Sequence, residues 1–499
     1  MASPQRLRNL GIFSGYALAA VVLCLALSWL AARITARHLL DAANQRLALV
    51  EAGQPLWQWH LRQAHDVIAA RAFGNATLAH DDDALSVTSD DGTPFELGLP
   101  VDDALDLVHW PILQLRMQSD AQGTLGLAWG AGLTPACQAN VAATLAPAVR
   151  SLRIDLRGVR WQAVGAQGCP SPQSVRMLRL RIQLPAHASL RLSSLALLTT
   201  EPVTHAQGAV VALSDNELAS AITRAGDQAM PWFQLPGGLS AEALLSLRDQ
   251  LLGRWPGALI LPPGARPQAV QPAAHAVLAW AVCALYLVAL LWLALKPVHG
   301  PLRPWLEIGG CLLGPLWLVA GLHWGLRPTA LGVVAFASGL LFALYIERRH
   351  LPRLWRWPGY GRNWLWPLAT VPVALLLILA DGHGLHRLPL AHVLAYFAWA
   401  WLQQWLMLVV LLRRLEQIAQ HRAAPSIIAI ALIFALLHTP NGMLMQLCFV
   451  AELWWAWCFL RARSVLPIAV AHAACALLVE SGLVGSLVRS LEVSARFFL

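Results

Sequence analysis

Seven strongly polar side chains interrupt the apolar C-terminal half of the chain: Gln403, Gln404, His438, Gln446, Glu452, His472 and Glu480. Inside hydrocarbon each costs a few kcal/mol unless it has a partner, a cavity or a task. His438 follows Gln404 by 34 residues, and His472 follows His438 by the same 34. Equal intervals of that length let three neighbouring helices aim polar groups at one depth. Imidazole can give or take a proton near neutral pH and can ligate metal, so a site at His438 and His472 is one reading. The other is a pair of core histidines satisfied by their neighbours. Phe434, four residues before His438, reads as its packing partner on the same helix face.

A divalent metal held by His438 and His472 is a further expectation, although two histidines fall short of the three protein ligands usual for catalytic zinc. Asp381, His383 and His386 in the loop DGHGLHR could also bind metal or form an exposed polar turn. His80 and the aspartates after it read as a solvated loop. The chain has no Gly-rich phosphate cradle, no Gly-x-Ser-x-Gly elbow and no His-Glu-x-x-His helix.

The segments AWLQQWLML, IALIFALLHTPNG and LPIAVAHAACALL together resemble the core of the CPBP (CAAX protease and bacteriocin-processing) intramembrane peptidases, over about residues 395 to 485. That family carries Glu-Glu-x-x-x-Arg on one helix, Phe-x-x-x-His on the next, and His-x-x-x-Asn or Asp on a later one. Phe434 to His438 matches the second motif, and His472 supplies the histidine of the third. The resemblance therefore implies a multi-helix peptidase fold with Gln403, Gln404, His438 and His472 at the catalytic positions, acting on membrane-embedded or lipid-anchored peptides. The departures are chemical. Gln403 and Gln404 replace both glutamates, Leu408 replaces the arginine, and Ala476 stands four residues after His472. In the family the first glutamate, with a histidine, is taken to activate water. Glutamine has nearly that shape and no ionisable proton, so it is no general base. Impaired catalysis is expected, unless Glu452 or Glu480 swings in as a substitute carboxylate or a metal activates the water.

The elements that must position these residues follow from composition. Of 499 residues, 57% are apolar and 13% charged; mean hydropathy is +0.54. A simple water-soluble enzyme is excluded on that balance. The formal charge of +9 arises almost wholly from arginines between apolar runs, with Lys296 the one lysine. That is loop charge fixing membrane orientation rather than a phosphate-binding face, so nucleic acid is not an expected partner.

Residues 11 to 31 form an uncharged run of membrane-spanning length, read as a retained signal anchor over 1–33. From 272 to 499 the sequence predicts eight further spans, near 273–295, 305–323, 329–346, 364–380, 389–412, 425–438, 442–460 and 465–486. Alternate loops carry the basic residues: Lys296 and Arg303; Arg348, Arg349, Arg353, Arg356 and Arg362; Arg413, Arg414 and Arg422; Arg461 and Arg463. Arg327 and Arg387 are the chief exceptions. Positive-inside bias puts those loops and the N-terminus in the cytoplasm of a plasma-membrane protein and the 34–270 domain outside. Trp355, Trp357, Trp364 and Trp366 suit interfacial anchoring.

The exterior region has two expected parts. Residues 34–215 predict a β-sandwich with a helical start running through Arg71 and acidic loops at Asp81 to Asp83, Asp90, Asp91, Asp102 and Asp103. Leu113, Leu115 and Met117, then Leu125, Leu127 and Trp129 across a turn at Asp120 to Gly123, read as a hairpin. Alternation returns at Leu152 to Leu156, Leu178 to Leu184, and Leu190 and Leu192. The rhythm of 111 to 200 resembles jelly-roll modules that often bind carbohydrate, with Trp129 and Trp161 as the aromatics that could stack on a sugar; a structural or protein-binding sandwich is the other reading. Residues 216–271 read as a helix, with a capping signal at Ser214 to Glu217 and leucines from Leu244 to Leu252, then a stiff linker through Pro256, Pro262, Pro263 and Pro267. Cys137 and Cys169, the cysteines outside apolar runs, are a natural disulfide pair if this region lies outside the cytoplasm, and otherwise two buried thiols.

Two functions stay in view. One is a CPBP-like peptidase with weakened chemistry; the other is a non-catalytic membrane scaffold whose exterior sandwich captures a glycan or a protein. A transporter is disfavoured because no half of the membrane domain is duplicated.

Overall fold

The structure is a computed structural model that describes residues 4–499 apart from 102–103, 133, 148, 165–167, 170–171, 201–209, 214–224, 227, 270–275, 297–298, 323–328 and 349–360. The capping signal at Ser214 to Glu217, Asp102, Asp103, Arg327, Arg349, Arg353, Arg356, Trp355 and Trp357 lie outside the described residues. The chain divides into two units: Met1–Thr35, Leu239–Leu245 and Ala273–Leu499 in one, Ala36–Gly238 and Ser246–Pro272 in the other.

The second unit is an antiparallel β-sandwich with a small α/β appendage. One sheet has the order β2-β3-β11-β5-β8, with β1 also on β11, and the other β4-β10-β6-β7-β9. The strands are β1 (Trp57–His60), β2 (Ala76–Asp81), β3 (Ala84–Ser89), β4 (Phe95–Leu99), β5 (Ile112–Ser119), β6 (Gly123–Gly130), β7 (Cys137–Leu145), β8 (Ser151–Asp155), β9 (Gln162–Ala163), β10 (Met177–Gln183) and β11 (Ser189–Leu198). Alternation explains the burial. Leu113, Leu115 and Met117 of β5 and Leu178, Leu180 and Ile182 of β10 point into one shared core. In β11 the buried set shifts phase from Leu190 and Leu192 to Leu195 and Leu197, across a bulge between Leu192 and Ser194.

Four expectations for this unit are corrected. The expected hairpin is a crossover: β5 pairs with β11 and β8, whereas β6 pairs with β10 and β7, so the Asp120 to Gly123 turn joins the two sheets. Helix α1 (Pro4–Glu51) ends at Glu51 instead of continuing through Arg71. Its distal part is helical because Ala43 and Leu47, one turn apart, bury against Met230, Leu259 and Leu261. Trp129 is 2% exposed and edge-on to Trp161 at 6.1 Å, so it fills the core and offers no face to a sugar. The expected linker holds β14 (Leu259–Leu261), which with β12 (Val210–Ala212) and β13 (Trp232–Gln234) makes a three-stranded parallel sheet. Helix α2 (Ala241–Arg254), whose Ala243 amide donates to the Ser240 hydroxyl at 3.2 Å, is the crossover that a parallel β13–β14 pair needs. A disulfide joins Cys137 to Cys169.

The first unit is helical. Beyond α1 it contains α3 (Ala276–Leu295), α4 (Arg303–Leu316), α5 (Ala330–Glu347), α6 (Arg362–Leu368), α7 (Thr370–Asp381), α8 (Leu390–Gln404), α9 (Leu412–Ile418), α10 (Ala423–Leu436), α11 (Gly442–Ala462) and α12 (Leu466–Gly482). Among the described residues seven helical stretches, α1 included, are long and apolar enough to cross a membrane, and Ala423–Leu436 and Leu466–Gly482 are shorter apolar helices. This is a multi-pass membrane protein. Two stretches leave α geometry: Trp317–Gly321 after α4, and Trp405–Leu411, which carries α8 on into α9, are π-helical. Arg413 and Arg414, expected in a loop, sit on α9, and Arg414 is buried.

Candidate functional site

Gln403 and Gln404 are the last residues of α8, directly before the π-helical stretch, a local geometry that recurs at functional sites. Neighbouring residues on a helix point about 100° apart, so the two amides serve different places. Gln403 lines a cavity of about 610 Å³ together with His438, His472, Cys448 and Ala476. Gln404 is wholly buried. Its amide nitrogen donates to Glu452 Oε2 of α11 at 3.0 Å and faces His472 Nδ1 of α12 at 3.3 Å.

His438 stands just beyond α10, where its Nδ1 meets the Phe434 carbonyl at 2.8 Å. A carbonyl can only accept, so Nδ1 carries the proton and Nε2 of the neutral ring is an acceptor. The Phe434 ring lies edge-on to both imidazoles, 4.9 Å from His438 and 5.5 Å from His472, and so acts as the spacer between them. Trp455 at 5.2 Å and Tyr396 at 6.4 Å pack the other sides of His472.

The two candidate substitute carboxylates sit elsewhere. Glu452 is wholly buried behind Gln404, outside the cavity lining. Glu480 lines the cavity, but its carboxylate pairs with His392 Nε2 at 2.9 Å. For a metal the donor set does not fit: no three His, Cys, Asp or Glu side chains among the described residues are placed to hold one. The 382–389 loop is tied to the end of α12, where His383 Nε2 meets the Val484 carbonyl at 2.7 Å and Nδ1 the Gly384 carbonyl at 3.1 Å. Those two carbonyls raise the His383 pKa above its ordinary value and leave neither ring nitrogen for a metal. Gln446 donates to the Cys24 carbonyl of α1 at 3.1 Å.

One wall of the cavity had no signal that drew attention in the sequence. Val484, Ser490 to Val493 and Arg496 contribute to the lining, and Asn441 holds this segment by donating to the carbonyls of Ser490 at 2.6 Å and Glu492 at 3.2 Å. The same side chain caps α11 by accepting from the Leu444 amide at 3.2 Å. Its position two residues after Thr439, at the start of an apolar run, is an N-cap signature that could have exposed it. Asn441→Ala is expected to cost about 1–2 kcal/mol through the cap alone and to loosen the wall. Limited proteolysis should then cut within 484–499 faster than in the parent protein.

Residues 385–478 match the family model described as type II CAAX prenyl endopeptidase Rce1-like. Over this segment the chain is similar to the CPBP family. The match spans α8 to α12 except the last residues of α12, so the segment that carries Gln403, His438, Glu452 and His472 is the part of this chain similar to intramembrane peptidases. No curated protein matches the chain. Among solved structures, a family 11 carbohydrate-binding module of a cellulosomal cellulase of Clostridium thermocellum is 10% identical, covering 26% of this chain and 82% of the module with a TM-score of 0.22. A low-affinity xylan-binding module from Roseburia intestinalis is 12% identical, covering 29% of this chain and 96% of its own, with a TM-score of 0.20.

Proposed function

We propose that the CPBP domain binds a membrane-embedded or lipid-anchored peptide segment in the cavity and hydrolyses it far more slowly than a glutamate-bearing relative would. The observation that carries this reading is the identity of the groups facing the cavity. At the position where the resemblance expects the activating carboxylate, the lining offers the Gln403 amide. Both nearby carboxylates are committed, Glu452 to Gln404 and Glu480 to His392. An amide and two imidazoles can hold a peptide group by hydrogen bonds, but an amide cannot take the proton of an attacking water.

The arginine-bearing loops support an N-terminus in the cytoplasm of the plasma membrane, and the Cys137–Cys169 disulfide supports an exterior sandwich. A glycan on that sandwich would need a platform other than Trp129.

A photo-crosslinking residue at Ala476, which lines the cavity, tests the proposal. The expected adduct is a membrane-inserted peptide segment at its full length, the same length in cells carrying His438→Ala. Labelling of lipid alone overturns peptide binding. A shortened species that predominates over the full-length adduct and disappears in the His438→Ala variant overturns the slow hydrolysis.

A further inference from the structure

We infer that Glu452 is a positioning residue: acting through Gln404, it fixes the tautomer of His472 so that the ring presents an N–H to the cavity, a donor for a carbonyl oxygen. The inference rests on reading the cavity as a peptide pocket only for the identity of that carbonyl; the tautomer itself follows from the contacts.

The argument runs along three buried side chains. The Gln404 amide nitrogen lies 3.0 Å from Glu452 Oε2 and donates to it; a carboxyl group accepts at that oxygen whether it is a carboxylate or a neutral acid with its proton on Oε1. The same nitrogen then faces His472 Nδ1 at 3.3 Å. An amide nitrogen has two hydrogens and no acceptor capacity, so it gives one to Glu452 and one to His472. Nδ1 must therefore be the bare nitrogen, and in the neutral ring the proton sits on Nε2. All three residues are at most 4% exposed, so water does not compete for these bonds. Gln404 Oε1 and Glu452 Oε1 make no hydrogen bond to a described residue.

His438 has the opposite arrangement. Its Nδ1 donates to the Phe434 carbonyl, which leaves Nε2 as an acceptor. The cavity thus carries one imidazole that donates and one that accepts. A main-chain amide, with a C=O and an N–H, is the ligand chemistry that meets both.

The full chain, labelled with 15N-histidine in lipid nanodiscs, reports the tautomer directly, with His472→Gln used to assign the resonances. The expected spectrum shows His472 protonated on Nε2 alone and His438 on Nδ1 alone. Gln404→Glu leaves a carboxyl pair with Glu452 that shares one proton held between the two groups, so the remaining oxygen of residue 404 is an acceptor beside Nδ1 and the His472 proton should move to Nδ1, while His438 stays unchanged as a control for the fold. Glu452→Gln, whose carbonyl oxygen still accepts from Gln404, should keep the parent tautomer, and Glu452→Leu should give a mixture. His472 protonated on Nδ1 in the parent protein, or a ring indifferent to Gln404→Glu, overturns the inference. Neither result depends on whether a peptide binds, so the proposal for the cavity stands or falls separately.

Discussion

Arg414→Ala is expected to lower the stability of the helical domain by about 3–5 kcal/mol, the usual consequence of removing one partner of a buried ion pair. Arg414 is 6% exposed. Its Nε donates to Glu307 Oε2 of α4 at 2.8 Å, and another guanidinium nitrogen bonds Glu347 of α5 and the Val410 carbonyl. The Glu347 side chain has no exposed area, so deleting the guanidinium strands a carboxylate in the apolar interior. Arg413 also reaches Glu347, at 3.4 Å, but its side chain is 42% exposed and cannot replace the buried contact. Arg414→Lys should recover only part of the loss, because the ammonium keeps the charge but lacks the planar fork whose Nε and second nitrogen reach Glu307 and Glu347 at once. Thermal unfolding in detergent checks this. The mechanism further requires that Glu347→Leu added to Arg414→Ala recover much of the loss, since a pair replaced by apolar groups is often close to neutral. A double variant as unstable as the single would show that the arginine stabilises by packing instead.

This ion network also marks where sequence reading stopped. Arg414 lies at the end of an apolar run next to Arg413, and positive-inside logic assigns such a pair to a loop. What sequence cannot show is that Glu307 and Glu347, 107 and 67 residues away, end on the same buried position. The spans themselves were legible, because helix length and hydropathy are local. So was the alternation of the sandwich strands, but alternation assigns a strand's faces and not its partners. Asp120 to Gly123 therefore looked like a hairpin although β5 and β6 lie in different sheets. The candidate site divides in the same way. His438 and His472 stood out because an imidazole in an apolar run is costly. The bond from Gln404 to Glu452, across 48 residues, depends on the rotation of α8 just before its π-helical stretch, which no periodicity in the sequence reports.

That rotation decides which of the two glutamines can be converted to a functional carboxylate. Gln403→Glu should raise cleavage of a bound segment by about 100-fold or more over the parent chain, since a placed general base contributes roughly 10²–10⁴. The carboxylate introduced at this position would enter the cavity that His438 and His472 line, where a water can meet it. Gln404→Glu alone should give no such gain. Its carboxylate would lie about where the amide now sits, 3.0 Å from Glu452 and sealed from the cavity, and two like charges in a dry site destabilise each other until one is protonated. The restored base must also act on the bound segment: His438→Ala added to Gln403→Glu should return the rate to background, since grouped catalytic residues fail together. The measurement is single-turnover cleavage of a crosslink-identified segment in nanodiscs. Equal gains from the two single variants would mean that both side chains reach one water, which the separate surroundings of Gln403 and Gln404 forbid. No gain from Gln403→Glu would mean that the cavity lacks more than a base, and Ala476, where the family places an asparagine or aspartate, is the next position to convert.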